Sequence, residues 1–156
     1  MSRIAIPPIG DIIAHRGTML LIDDITTVDT SSCCARSTPD RNAWYIDENG
    51  SMPAWFGIEL MAQTIAAWVH LNRPQGQLPK QGVLLGARTY TAHTSSFASG
   101  EPLLIRATVI YRDESGLGAF DCEIVREMEP ENPIATSTLK VFEPEDFHEF
   151  LKEKSV

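Results

Sequence analysis

Glu59, Gln63 and His70 are the residues whose types and spacing first suggest chemistry, because they sit inside the most apolar long stretch of the chain, Ser51 to Asn72. At about 100° per residue they fall within about 40° of one another, with Ala66 between them, as one narrow polar stripe. A carboxylate on such a stripe must be paired, hydrogen-bonded or used. Burial among Trp55, Phe56 and Ile58 disfavours its charged form, and the raised pKa expected for Glu59 would suit it to give up a proton. Gln63, one turn further on, is placed to orient Glu59 or a water. His70 lies near the end of the stretch, where a cation meets the negative end of the helix dipole, so its expected role is structural.

The element that must carry this stripe is a helix of about 20 residues, roughly 30 Å long. Pro53 suits its first position and Arg73-Pro74-Gln75-Gly76 its stop. Trp55, Phe56, Ile58, Leu60, Met61, Ile65, Trp68, Val69 and Leu71 spread over nearly all its faces, which predicts a buried helix. Its three polar residues argue against a membrane span.

Before it, residues 1–13 read as a proline-interrupted lead-in, and Met19 to Val28 as a strand continuing weakly through Cys33 and Ala35. Residues 37–51 read as a loop with a short extended piece at Trp44-Tyr45-Ile46. After it, Gly82 to His93 reads as a strand with Gly86 as a bulge, and Ser95 to Glu101 as a loop. Leu103, Ile105, Ala107, Val109 and Tyr111 alternate with polar residues. A turn at Asp113–Gly116, a return strand through Phe120, Cys122 and Ile124, a turn at Glu129–Pro133 and a last strand from Ile134 to Phe142 complete the pattern. Acids then lysines over Pro144 to Lys154 predict a short C-terminal helix. The expectation is an α+β protein, a single domain over residues 1–156, in which a curled antiparallel sheet wraps one long central helix.

Composition narrows the function classes. A net charge of −8, with 13 Lys and Arg against 21 Asp and Glu, disfavours binding to nucleic acid or an anionic membrane. The three cysteines form no C-x-x-C pair and have no histidine at ligand spacing, so neither a metal nor a disulfide scaffold is expected. No basic start is followed by an apolar run, which predicts a cytoplasmic protein.

Met52-Pro-Ala-Trp-Phe-Gly-Ile-Glu-Leu-Met-Ala-Gln63 resembles the opening of the helix in the hot-dog-fold 3-hydroxyacyl-ACP dehydratases, which begins M-P-G and carries E-A-x-A-Q. His15-Arg-Gly-Thr-Met-Leu-Leu-Ile-Asp23 is similar to their H-R-x-P-F-L-L-V-D segment, and Phe97-Ala-Ser-Gly-Glu-Pro-Leu-Leu-Ile105 to their V-x-P-G-D-x-L segment. Within that group the chain looks most like the dehydratase-like proteins of aryl polyene gene sets.

The resemblance implies a homodimer, or a heterodimer with another hot-dog protein. The substrate would be a thioester on the phosphopantetheine of acyl carrier protein, with no further cofactor. It implies that Glu59 protonates the departing 3-hydroxyl while a loop histidine of the other subunit removes the α-proton. That histidine is missing: fourteen residues before Glu59 stands Tyr45, within Trp44-Tyr45-Ile46-Asp47. His15 is then the candidate base and Tyr45 a candidate hydrogen-bond donor. Met52, Ala54 (through its N–H), Trp55 and Gln63 are the expected substrate contacts, and Arg16, Lys80 and Arg88 the expected carrier contacts. Two alternatives use the same fold: a thioesterase in which Glu59 and Gln63 activate water, and a silent partner of an active dehydratase.

Overall fold

The computed structural model describes residues 6–73 and 82–143. Six strands make one antiparallel sheet: β1 (Asp24–Val28), β2 (Ser32–Ser37), β4 (Val83–Ala92), β6 (Leu103–Arg112), β7 (Leu117–Arg126) and β8 (Glu129–Phe142), in the order β1-β2-β6-β7-β8-β4. The short β3 (Ser51–Pro53) and β5 (Ser96–Ala98) pair separately, and α1 (Gly57–Leu71) lies in the curl of the large sheet. This is the α+β, hot-dog arrangement expected of the sequence.

Alternation places Leu103, Ile105 and Ala107 of β6 inward beside Cys33 and Ala35 of β2 and Cys122 and Ile124 of β7. The helix meets this surface with Leu60, Met61, Ile65, Ala67 and Trp68, and the Trp68 ring packs edge-on against Phe120 at 5.4 Å.

Several boundaries differ from the expectation, each for a local reason. The first strand is a hairpin, because the Asp29 carboxylate accepts from the Ser31 and Ser32 N–H groups and turns the chain. Trp44-Tyr45-Ile46 is turn, not strand. Pro53 ends β3, and a 3₁₀ turn at Ala54–Phe56 precedes the helix. Within the expected loop, Ser96–Ala98 pairs with β3. Glu129–Pro133 belongs to β8, whose pairing with β7 takes up the prolines through irregularities at Ile124–Arg126. The expected C-terminal helix lies outside the described residues. Nor is α1 buried all round: Trp55 just before it is 69% exposed, and Glu59, Ala62, Ala66 and His70 form a half-exposed stripe.

A second bulge in β4 matters to the helix. Beyond the expected irregularity at Leu84–Gly86, the register shifts again between Arg88 and Thr91, and Thr89 takes φ 51°. Tyr90 is thereby turned inward, and its hydroxyl donates to the Ala54 carbonyl at 2.5 Å. Burial pushes that hydroxyl up to about 12, so it stays a donor. Gly57 leaves the space: a Cβ there would overlap the Tyr90 hydroxyl oxygen.

Gly57→Ala is therefore expected to destabilise by about 1–3 kcal/mol in urea titration, against the ~1 kcal/mol that alanine gains by helix propensity. The loss should shrink in a Tyr90→Phe background.

Candidate active site

Gln63 organises the site from beneath. Its side chain is fully buried, at 0% exposure, and it faces the segment that precedes β1. Its carbonyl oxygen accepts from the N–H of Leu21 at 2.9 Å and of Ile22 at 3.3 Å. Its amide donates to the Met19 carbonyl at 2.8 Å and to Glu59 Oε1 at 3.0 Å. Two donors and two acceptor positions are thus all used. The same segment is anchored by the buried Ile12 and Ile13 and by Arg16, whose guanidinium donates to the Ile13 carbonyl at 2.5 Å and the His15 carbonyl at 2.8 Å.

This anchoring sets His15 beside Glu59 of the same chain. His15 Nε2 lies 3.3 Å from Glu59 Oε1, with the two side chains 32% and 38% exposed. The family resemblance implied a histidine from the other subunit; here the pair closes within one chain. His15 Nδ1 is buried without a hydrogen-bond partner among the described residues.

The carboxylate departs from the sequence expectation in sign. Burial pushes its pKa up, but hydrogen bonds from His15 and Gln63, together with the charge on His15, outweigh that and hold Glu59 below the ordinary carboxylate value. The expectation counted Trp55 as part of an apolar surround, and Trp55 instead points outward. Glu59 therefore rests as a carboxylate, with Oε1 held by its partners.

The pair stands at one end of a groove of about 370 Å³. Ala62, Ala66 and Val69 form its floor along the helix, while Leu84, Gly118, Phe120 and Val141 form its sheet side. Its other end carries Arg112 and Glu143. The interior between these ends is mainly apolar, the character of a site for an extended hydrophobic ligand with polar chemistry at defined points.

The remaining candidates are placed elsewhere. Tyr45 packs against Trp44 and Phe56 at ring distances of 5.8 Å, and its hydroxyl accepts from the Asp40 N–H at 3.0 Å. Met52 is in the core, and the Ala54 N–H already donates to the Ser95 carbonyl at 3.0 Å. Gln63, fully buried, supports Glu59 from below. Arg88 lines a separate open polar depression on the outer face of the sheet, and Lys80 lies outside the described residues. His70 is half-buried, its pKa lowered by burial and by Arg73. Burial pushes the Cys33 and Cys122 thiols up to about 12, so neither is a thiolate at neutral pH. No cluster of three metal-ligating side chains occurs among the described residues. No helix among them is long and apolar enough to cross a membrane.

Sequence reasoning missed the Met19, Leu21 and Ile22 backbone as the partners of Gln63, since nothing in residue type marks a main-chain group. It also missed Arg112, which sits in an otherwise ordinary alternating strand.

A family model described as ApeP dehydratase (ApeP-like) matches residues 7–152. Among solved structures, the chain is similar to the dehydratase heterocomplex ApeI:P from Xenorhabdus doucetiae, with 24% identity, a TM-score of 0.86, and 96% of this chain and 99% of that one covered. It is also similar to Cj0977, a sigma28-regulated virulence protein from Campylobacter jejuni, with 13% identity, a TM-score of 0.66 and 88% of each chain covered. A third is a mutant of the thioesterase PA1618 from Pseudomonas aeruginosa, with 15% identity, a TM-score of 0.59, and 79% of this chain and 81% of that one covered. At these identities the likenesses are of fold. No curated protein matches the chain.

Gln63→Leu would strand two N–H groups and a carbonyl away from water, so a loss of about 2–4 kcal/mol is expected in urea titration. Acid titration tests Glu59 separately. Its folded pKa lies below the ordinary 4.5, so the stability it adds is present above that value and is lost as pH falls through the lower folded one. The stability difference between wild type and Glu59→Gln should accordingly narrow between about pH 6 and pH 3.

Proposed function

Since the chain belongs to the ApeP-like dehydratase family, we propose that it eliminates water from a carrier-bound 3-hydroxyacyl thioester, with Glu59 and His15 as the proton-transfer pair. The observation that carries this reading is the 3.3 Å contact between His15 Nε2 and Glu59 Oε1 at the end of an apolar groove. It supplies an acid and a base on neighbouring atoms, as a substrate with its acidic C2–H and its leaving C3 hydroxyl on adjacent carbons requires.

We take the roles in the reverse of the order that the family resemblance implied, a reading that the depressed pKa of Glu59 supports. The Glu59 carboxylate takes the C2 proton, the electron pair forms the C2=C3 bond, and the C3–O bond breaks. The departing hydroxyl takes the proton of His15 Nε2 and leaves as water. Proton transfer from Glu59 back to His15 across their contact resets the pair, so the cycle consumes and releases no net proton. Gln63 holds Glu59 Oε1 throughout.

A second hot-dog chain completes the protein in this reading. Edge strand β4 leaves Leu84 39% and Leu85 52% exposed, and the half-exposed helix stripe lies beside it; both support pairing with another chain. The similar ApeI:P structure is a heterocomplex by its description. Because His15 and Glu59 meet within this chain, a partner would enclose the groove without supplying the acid or the base. That weighs against a silent subunit. Thioester hydrolysis is the second reading, favoured by the ionised Glu59, which is suited to activating a water.

Intact-mass analysis of 3-hydroxyacyl carrier protein incubated with the chain and its pathway hot-dog partner distinguishes these readings. Loss of one water is expected, with Glu59→Gln and His15→Ala each slowing it by about 10²–10⁴-fold. Release of free carrier thiol would favour hydrolysis, and an unchanged mass for every chain length tried would overturn both.

A further inference from the structure

Two residues that go against local preference meet at one hydroxyl, which takes no part in the proton transfer itself. Thr89 is the one non-glycine residue at positive φ among the described residues, at φ 51°, a region that a β-branched side chain rarely enters. Gly57 opens α1, where alanine would suit the helix better. Each choice has its use at Tyr90. Arg88 pairs with Thr138 and Thr91 with Thr136, so β4 carries one extra residue against β8 there. In a regular strand running on from Arg88, Tyr90 would share the outer face with it; the extra residue turns Tyr90 inward. Its hydroxyl then lies in the space that a Cβ on Gly57 would fill, and it donates to the Ala54 carbonyl. Residues kept against local preference mark places where the surroundings demand one geometry.

What that hydroxyl fixes is the entry to the helix. The Ala54 N–H donates to the Ser95 carbonyl at 3.0 Å, so both main-chain groups of Ala54 are held by the run from Tyr90 to Ser95. Just before it, Met52 and Pro53 pair with Phe97 and Ser96. The start of α1 is thus tied to β4 and β5, and Glu59 stands in its first turn. His15 reaches the same turn from elsewhere: the segment before β1 carries it, and Gln63 ties that segment to the helix one turn beyond Glu59. The carboxylate therefore sits between two separate anchors. A shift of the helix entry relative to the segment before β1 would lengthen the 3.3 Å contact between His15 Nε2 and Glu59 Oε1.

We propose that Tyr90 is a positioning residue for the proton transfer: through the Ala54 carbonyl it sets the first turn of α1, and with it the distance from Glu59 to His15. The Thr89 bulge and the missing Cβ of Gly57 are the backbone conditions that let its hydroxyl reach. The proposal rests on the dehydratase reading for the chemistry that the pair performs.

Tyr90→Phe removes the hydroxyl and keeps the ring, and two readouts separate positioning from mere stability. The first is the titration of Glu59 in the full chain, followed by NMR of its side-chain carboxyl carbon. Among the described residues His15 is the titratable group in contact with Glu59, and Arg112 and Glu143 stand at the far end of the groove. Burial raises the Glu59 pKa, and hydrogen bonds from His15 and Gln63 more than offset it. Loosening those bonds in Tyr90→Phe is expected to move the titration upward. The second readout, measured with the pathway hot-dog partner present, is the split between kcat and KM for water loss. There kcat is expected to fall about tenfold while KM stays within about twofold. Thr89→Gly, which suits φ 51° and keeps the hydroxyl, is expected to leave both readouts at wild-type values. A folded Tyr90→Phe chain whose Glu59 titrates as in wild type would overturn the proposal, even if its urea midpoint falls. So would a Thr89→Gly chain that reproduces the Tyr90→Phe shift, since the backbone of the bulge and not the hydroxyl would then be the cause. Should wild type lose no water from any substrate, the dehydratase reading falls and the titration alone decides the role of Tyr90.

Discussion

The four hydrogen bonds of Gln63 are the constraint on which the site depends. A buried primary amide is tolerated only when its donors and acceptors are matched, and here three of the four partners belong to the chain before β1. That segment is irregular, and its main-chain groups need partners as much as the glutamine does. Each therefore stabilises the other's burial, and His15, a few residues upstream, is carried to a fixed place over the helix. The fourth bond extends the same constraint to Glu59. One side chain thus holds both members of the pair, and it does so from below, leaving the groove side open.

That arrangement also decides the charge state of Glu59. A carboxylate partly withdrawn from water would ordinarily become harder to ionise, and burial acts in that direction here. Gln63 and His15 both donate to the charged form, and the charge interaction with His15 acts in the same direction. The result is a carboxylate that is ionised yet lies beside an apolar groove, a combination suited to accepting a proton from carbon. The adjacent stripe of small residues, Ala62 and Ala66, keeps the groove open: larger side chains there would fill it.

Much of this was legible in the sequence, and what escaped it has physical reasons. The helix and the strands Leu103–Arg112, Leu117–Arg126 and Val83–Ala92 announce themselves through periodicity, which depends only on neighbouring residues. The β1–β2 hairpin was hidden because Asp29-Thr30-Ser31 turns the chain through a side-chain carboxylate without glycine or proline. Glu129–Pro133 looked like a turn because prolines usually end strands, yet irregular pairing at the edge of the register accommodates them. Glu59 as the chemically distinctive residue, and Gln63 as its orienting neighbour, could be read from spacing alone. The direction of the pKa shift could not, because it turns on His15, forty-four positions away in sequence, and on a tryptophan that faces outward.

The exposed parts of the fold lie next to one another. Edge strand β4, the half-exposed stripe of α1 and the groove between them share one side of the molecule, while the opposite faces of the helix are packed into the sheet. An edge strand with exposed leucines is a template for pairing. Tyr90 connects that edge to the turn before α1, through its bond to the Ala54 carbonyl five residues ahead of Glu59. Closing a second chain over this side would exclude water from the groove and lower the local dielectric, which strengthens the bonds that His15 and Gln63 make to the carboxylate while raising the cost of leaving it unpaired. Assembly and acid–base chemistry are in that sense one problem: the pairing already made within this chain allows the carboxylate to be enclosed without being neutralised.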